Sequence, residues 1–180
     1  MSPPVQTDPK QKFLTYYRYA LWALIIIVNL LLHALGVHYT AMIFIANVMF
    51  FTMQGEPWRK YWEVLVGGAV GIFATYAMLR SIMWLTPYVG ELIAFVIPLA
   101  IILFVLIVLH PKVPVLFNNV GFAYLLACTI NMEAFMMHFW AHVITFVIGT
   151  AVLNAVCIFM MKPVAALAKP RNSSGASPAS

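Results

Sequence analysis

The chain has 180 residues, of which 64% are apolar and 8% charged, and a formal net charge of +5. A soluble domain carries roughly 25% charged residues, so this composition excludes one and points to a chain embedded in a bilayer. Six spans of about 20 residues would occupy most of these 180 residues and leave no separate soluble domain.

Residues 1–12 are polar and contain prolines, and are read as a cytoplasmic N-terminal segment. Six apolar segments follow, over 13–37, 39–54, 61–83, 89–109, 113–130 and 135–161. The first is too long for the apolar core of a cleavable signal and is read as retained. Gly36 separates the first pair, and Gly55 with Pro57 the second. Pro87 and Gly90 precede the fourth segment, while Pro111 and Pro114 bracket the turn before the fifth. Asn131 and Glu133 mark the last break, and Pro163 closes the sixth. The second and fifth segments are short, which suits a place deep in a bundle. Residues 163–180 are rich in Ala, Ser and Pro and are expected to form a disordered cytoplasmic tail.

Basic residues orient these segments. With the N-terminus inside, Lys10, Lys12, Arg18, Arg59, Lys60, Lys112, Lys162, Lys169 and Arg171 all fall on the cytoplasmic side, and only Arg80 falls outside. That bias sets both termini in the cytoplasm. It also explains the basic balance without nucleic acid. Trp58, Tyr61 and Trp62 suit an inner aromatic belt, and Trp84 and Tyr88 an outer one.

Two stretches echo one another. Trp62 opens W-E-V-L-V-G-G-A-V-G, ending at Gly71, and Trp140 opens W-A-H-V-I-T-F-V-I-G, ending at Gly149. The preceding helices match more loosely, at Asn47 and Asn119. Two halves of three spans each must insert in opposite senses. The expected fold is therefore an all-α integral membrane bundle of six transmembrane helices, as a 3+3 inverted repeat.

Polar groups inside a bilayer are costly and mark candidate sites. Asn29 and His33 share a face of the first helix, and Asn47 lies mid-way along the second. Asn118 and Asn119 lie about a third of the way along the fifth, His142 in the outer half of the sixth and Asn154 in its inner half. Together these amide and imidazole groups would line a path for a hydrogen-bonded substrate or an anion. The plain alternative is that each asparagine bonds a neighbouring helix. His138 and His142, four apart, have the spacing of two metal ligands, but no third ligand or metal motif accompanies them, so no cofactor is expected. His33 and His142 as axial haem ligands form a further alternative. Gly67 and Gly71, with Gly149 as their echo, are small residues that permit close helix approach. Glu63 is placed to pair with Arg59, and Glu91 with Arg80. No nucleophile, base and orienting group come together in these spacings, so no enzyme is expected.

The stretch R-Y-A-L-W-A-L from Arg18, L-G-V-H-Y-T-A from Leu35, the Arg59–Lys60 pair and V-G-G-A-V-G from Val66 resembles the N-terminal membrane half of the fusaric acid resistance and aromatic acid exporter (FUSC-like) superfamily. The soluble domain and second membrane half usual there are absent. The resemblance implies six helices per unit, paired units, organic-anion substrates and a bacterial inner membrane. It makes Arg18, Arg59 and Lys60 anion-gathering residues at the cytoplasmic mouth. The expected function is a small transporter or channel for aromatic or carboxylate anions, acting as a homo-oligomer. An accessory or scaffold subunit without transport is one alternative, and a haem- or metal-binding membrane protein another.

Overall fold

The computed structural model describes residues 9–37 and 39–168. The segment before residue 9, His38, and the tail from 169 with Lys169 and Arg171 lie outside the described residues. Within them the apolar runs form α1 (Pro9–Ala34), α2 (Thr40–Thr52), α3 (Pro57–Val89), α4 (Glu91–Leu109), α5 (Asn119–Thr129), α6 (Met132–Met137) and α7 (Phe139–Ala168). No strand occurs among the described residues. Four helices, α1, α3, α4 and α7, are long and apolar enough to cross a membrane, which marks a membrane-embedded, all-helical protein. α2 has 13 residues and α5 has 11, fewer than the roughly 20 that a crossing takes.

Three boundaries differ from the sequence expectation. α3 continues through Pro87 to Val89 instead of stopping at residue 83. A proline near the end of a helix removes one backbone bond, and the stop comes from Gly90, whose φ of 79° belongs to the left-handed region glycine favours. α7 likewise runs through Pro163 to Ala168, so residues 163–168 are helical and not part of a disordered tail. α5 starts at Asn119 instead of 113, because Val113 to Phe117 close tight turns onto Leu109 and Val113. The segment expected over 135–161 is divided at His138 into α6 and α7, with Asn131 capping α6 by accepting from the Ala134 amide at 3.0 Å.

α3 and α7 form the centre and run antiparallel, since Tyr76 stacks on Phe139 at one end and Trp58 meets Phe159 at the other. α5 lies along α3 and α2 along α7, and α2 touches α5 between them. α1 packs on α7 and α4 on α3. Only 6% of the apolar window of α1 and 17% of that of α4 is buried, against 50% for α3. The outer pair thus presents apolar surface to the membrane.

Close approach replaces hydrophobic drive between helices in lipid. Gly67 faces the Asn118 side chain, Gly68 faces Phe146 and Tyr124, and Gly71 meets the backbone of Gly121. Gly149 faces Ile43. The small-residue pattern therefore serves contacts within this chain.

The buried faces of the two short helices coincide at one spacing. α2 buries Met42, Ile43, Ala46, Asn47 and Phe50, and α5 buries Val120, Gly121, Tyr124, Leu125 and Cys128, each 78 positions later. Trp62 and Trp140 share that spacing, as do the buried pairs Gly68 and Phe146, Ile72 and Thr150, and Leu79 and Cys157. Even the contact Gly71 to Gly121 is matched by Gly149 to Ile43. At this spacing Asn47 falls with Leu125, whereas the looser sequence match set it with Asn119.

Gly71→Ala drives a methyl group into the Gly121 backbone, which cannot turn aside as a side chain can. It should cost about 1–3 kcal/mol, read as a lower melting midpoint in detergent, whereas Gly36→Ala should leave the α3–α5 contact untouched.

Candidate functional site

The residues expected to line one path occupy separate environments. Asn29 and His33 lie on the exposed face of α1. Asn118 is buried at the start of α5, where its side-chain oxygen accepts from the amides of Val120 and Gly121 at 3.0 and 3.2 Å. Its Nδ2 donates to the carbonyls of Glu63 at 2.9 Å, Pro114 at 3.1 Å and Val115 at 3.3 Å. Asn118 is thus a helix cap and an α3–α5 tie, and its polar atoms are fully used. Asn119 is exposed beside it, on a groove of about 230 Å³ shared with His110, Leu106 and Phe122.

Arg18, Arg59 and Lys60 are exposed or partly exposed. Arg18 is exposed on α1. Arg59 donates to Glu63 at 2.7 Å, the pairing expected from their spacing, and so holds the buried Glu63 carboxylate. Lys60 lies over the Phe50 ring at 4.8 Å. Arg80 lies over Tyr76 at 5.7 Å and forms no ion pair with Glu91.

His142 is buried against Tyr39, with ring centroids 4.0 Å apart, and against Phe135 at 5.3 Å. Its Nδ1 donates to the His138 carbonyl at 2.9 Å. The His138 side chain is exposed, 5.9 Å from the Tyr39 ring. Both imidazoles thus lie beside Tyr39, and among the described residues no three His, Cys, Asp or Glu side chains come together. His33 and His142 face different surroundings.

The remaining buried polar residues are Asn47 on α2 and Thr150 and Asn154 on α7. Asn154 is 0% exposed, Thr150 1% and Asn47 2%. Thr150 and Asn154 are one turn apart on α7, and neither the Thr150 hydroxyl nor either polar atom of Asn154 has a hydrogen-bond partner among the described residues. Other helical hydroxyls behave differently. Thr75, Ser81 and Thr86 each donate to the carbonyl four residues earlier. Thr150 lies near the Tyr124 hydroxyl without meeting hydrogen-bond geometry, and that hydroxyl donates to the Met42 carbonyl. Asn47 makes one long contact, 3.9 Å from its oxygen to the Cys157 thiol. Nearby, the Tyr17 hydroxyl donates to the Cys157 carbonyl at 3.2 Å and pins α1 to α7.

An unpaired buried polar group costs roughly 1–3 kcal/mol, so Thr150 and Asn154 on α7 are where the described residues depart from a bundle built for stability. The sequence singles out Asn47 and Asn154 but not Thr150. The signal that could have found Thr150 is its spacing of four from Asn154 on one face of an otherwise apolar helix. No protein-family model, curated protein or solved structure matches the chain.

Asn118→Ala removes the cap of α5 and the tie to the Glu63 carbonyl. It should lower stability by about 1–2 kcal/mol, seen as an earlier thermal unfolding transition in detergent; an unchanged transition would mean that α5 is fixed by other contacts.

Proposed function

We propose that the chain is a small multi-pass transporter or channel of a bacterial inner membrane, acting on organic anions as a dimer or higher oligomer. In this reading it crosses the bilayer six times as two inverted halves, α1–α3 and α4–α7, with both ends cytoplasmic. The coincidence of buried faces at a spacing of 78 residues, from Met42 and Val120 through Phe50 and Cys128, carries the reading. The antiparallel course of α3 and α7 supports it, as does the exchange by which α1 packs on α7 while α4 packs on α3. Inverted halves are a transporter architecture, and substrate sites lie between them. Asn47 on α2 and the unpaired Thr150 and Asn154 on α7 would lie in the first and second halves respectively, which supports a path between them.

The organic-anion class rests on the resemblance to the fusaric acid resistance and aromatic acid exporter superfamily. Arg18, Arg59 and Lys60 would raise the local anion concentration at the cytoplasmic mouth, with Arg59 diminished in that role by its pairing with Glu63. A second reading, an accessory subunit without transport, is favoured by Asn118, whose polar atoms are all spent on holding helices together.

Purified protein in proteoliposomes should carry radiolabelled benzoate above the leak of empty vesicles. Asn47→Leu or Asn119→Leu should bring flux to background while the protein stays in the membrane. Unchanged flux in both variants would sink the transport assignment, and a constant co-purifying partner with no flux would favour the accessory reading.

A further inference from the structure

Methionine is ordinarily apolar filler, and Met42 and Met78 are packed in that way inside the core. One stretch differs. Met136, Met137 and His138 stand in a row where α6 ends and α7 begins. On a continuous helix successive side chains point roughly 100° apart, which spreads three of them around the axis. His138 interrupts the helix, with φ −116° and ψ 31°. At this break the three residues border one hollow of about 310 Å³, which Tyr76 and Trp140 also line.

Core packing at this turn falls to other residues. Phe135 and Phe139, at 1% and 6% exposure, carry its contacts to His142 and Tyr76. Met137 by contrast is 66% exposed and Trp140 65%, while Met136 is partly buried. His138 is exposed beside Tyr39, and its imidazole makes no hydrogen bond among the described residues. Side chains turned only toward lipid are the plain alternative, and that alternative predicts no response to a ligand.

The donors offered are two thioether sulfurs and one imidazole nitrogen. Thioethers are soft, and soft ligands select Cu(I) over the harder divalent ions. No carboxylate or thiol is among the residues that line the hollow, so calcium, magnesium and zinc would lack the ligands they usually take. The donor set is also neutral. A divalent ion would bring two uncompensated charges to the membrane boundary, and a monovalent ion one. Arg80, whose guanidinium lies over the Tyr76 ring at 5.7 Å, sharpens that preference by repulsion. The exposed Trp140 ring adds a π face, which attracts a cation. Each methionine has three rotatable bonds, so its sulfur can adjust to an ion within a hollow of this size.

We infer that the α6–α7 break binds a soft monovalent metal ion, Cu(I) or Ag(I), through the thioethers of Met136 and Met137 and the imidazole of His138. The site stands apart from the organic-anion reading and does not depend on it.

Silver nitrate in chloride-free buffer is the probe, because Ag(I) needs no reductant. The full chain in detergent, purified without a histidine tag, should bind Ag(I) in equilibrium dialysis and lose part of its tryptophan fluorescence. Met137→Leu changes an exposed side chain for one of similar size, so the silver-free melting midpoint should stay where it is. The same variant should weaken Ag(I) binding at least about tenfold, and Met136→Leu and His138→Gln should act likewise. Met160→Leu with Met161→Leu, a methionine pair without a histidine at the far end of α7, should leave the affinity unchanged. Silver affinity indifferent to both Met137→Leu and His138→Gln overturns the site, and assigns the ion to the thiols of Cys128 or Cys157. Zn(II) bound as tightly as Ag(I), and lost in His138→Gln, overturns the choice of a soft monovalent ion.

Discussion

The bundle depends on how near other elements can come to one face of α3. Lipid gives apolar helices no reason to prefer each other over acyl chains, so van der Waals fit decides the packing. Gly67, Gly68 and Gly71 leave that face bare, and three different partners use it. The Asn118 side chain lies on Gly67, the rings of Phe146 and Tyr124 on Gly68, and the Gly121 backbone on Gly71. From there the contacts propagate. Tyr124, fixed against Gly68, donates to the Met42 carbonyl and so locates α2. Phe146 brings α7 across α3, with the Tyr124 and Phe146 rings 4.7 Å apart. A chain without those glycines would separate α3 from α5 and lose the reference to which α2 and α7 are set.

Much of the helical layout was legible because apolar runs and their breaks are written locally. Gly36, Gly55 and Gly90 all fall between helices and all carry positive φ. What was not legible depended on competition between signals of similar strength. Pro87 and Pro163 read as stops, yet a proline near a helix end removes one bond, and the apolar turns around it hold. Residues 113–117 are as apolar as a helix, and only the many bonds of Asn118 show why the helix begins after them. Residue identity pairs Asn47 with Asn119, whereas the buried faces of α2 and α5 recur at a spacing of 78, which sets Asn47 beside Leu125 in the comparison.

The candidate site was legible in the same uneven way. Asparagines in apolar helices announce themselves, but their direction does not. α1 is apolar around most of its circumference, so nothing in its pattern shows that Asn29 and His33 face outward. Asn118 and Asn154 look alike in sequence and differ entirely in circumstance, one with every polar atom engaged and the other with none. That difference is set by which carbonyls happen to lie across the seam, a tertiary fact.

The attachment of α1 has a consequence for the order of assembly. Among the described helices α1 leaves the ribosome before the others, and its principal neighbour is α7, which follows them. Throughout synthesis α1 must wait in the bilayer with its inward face, including Tyr17, against lipid, while α3, α4 and α5 already have one another. The Tyr17 hydroxyl finds the Cys157 carbonyl only when α7 arrives. Attachment of α1 therefore waits on α7, and a product truncated before α7 would present α1 without its principal neighbour.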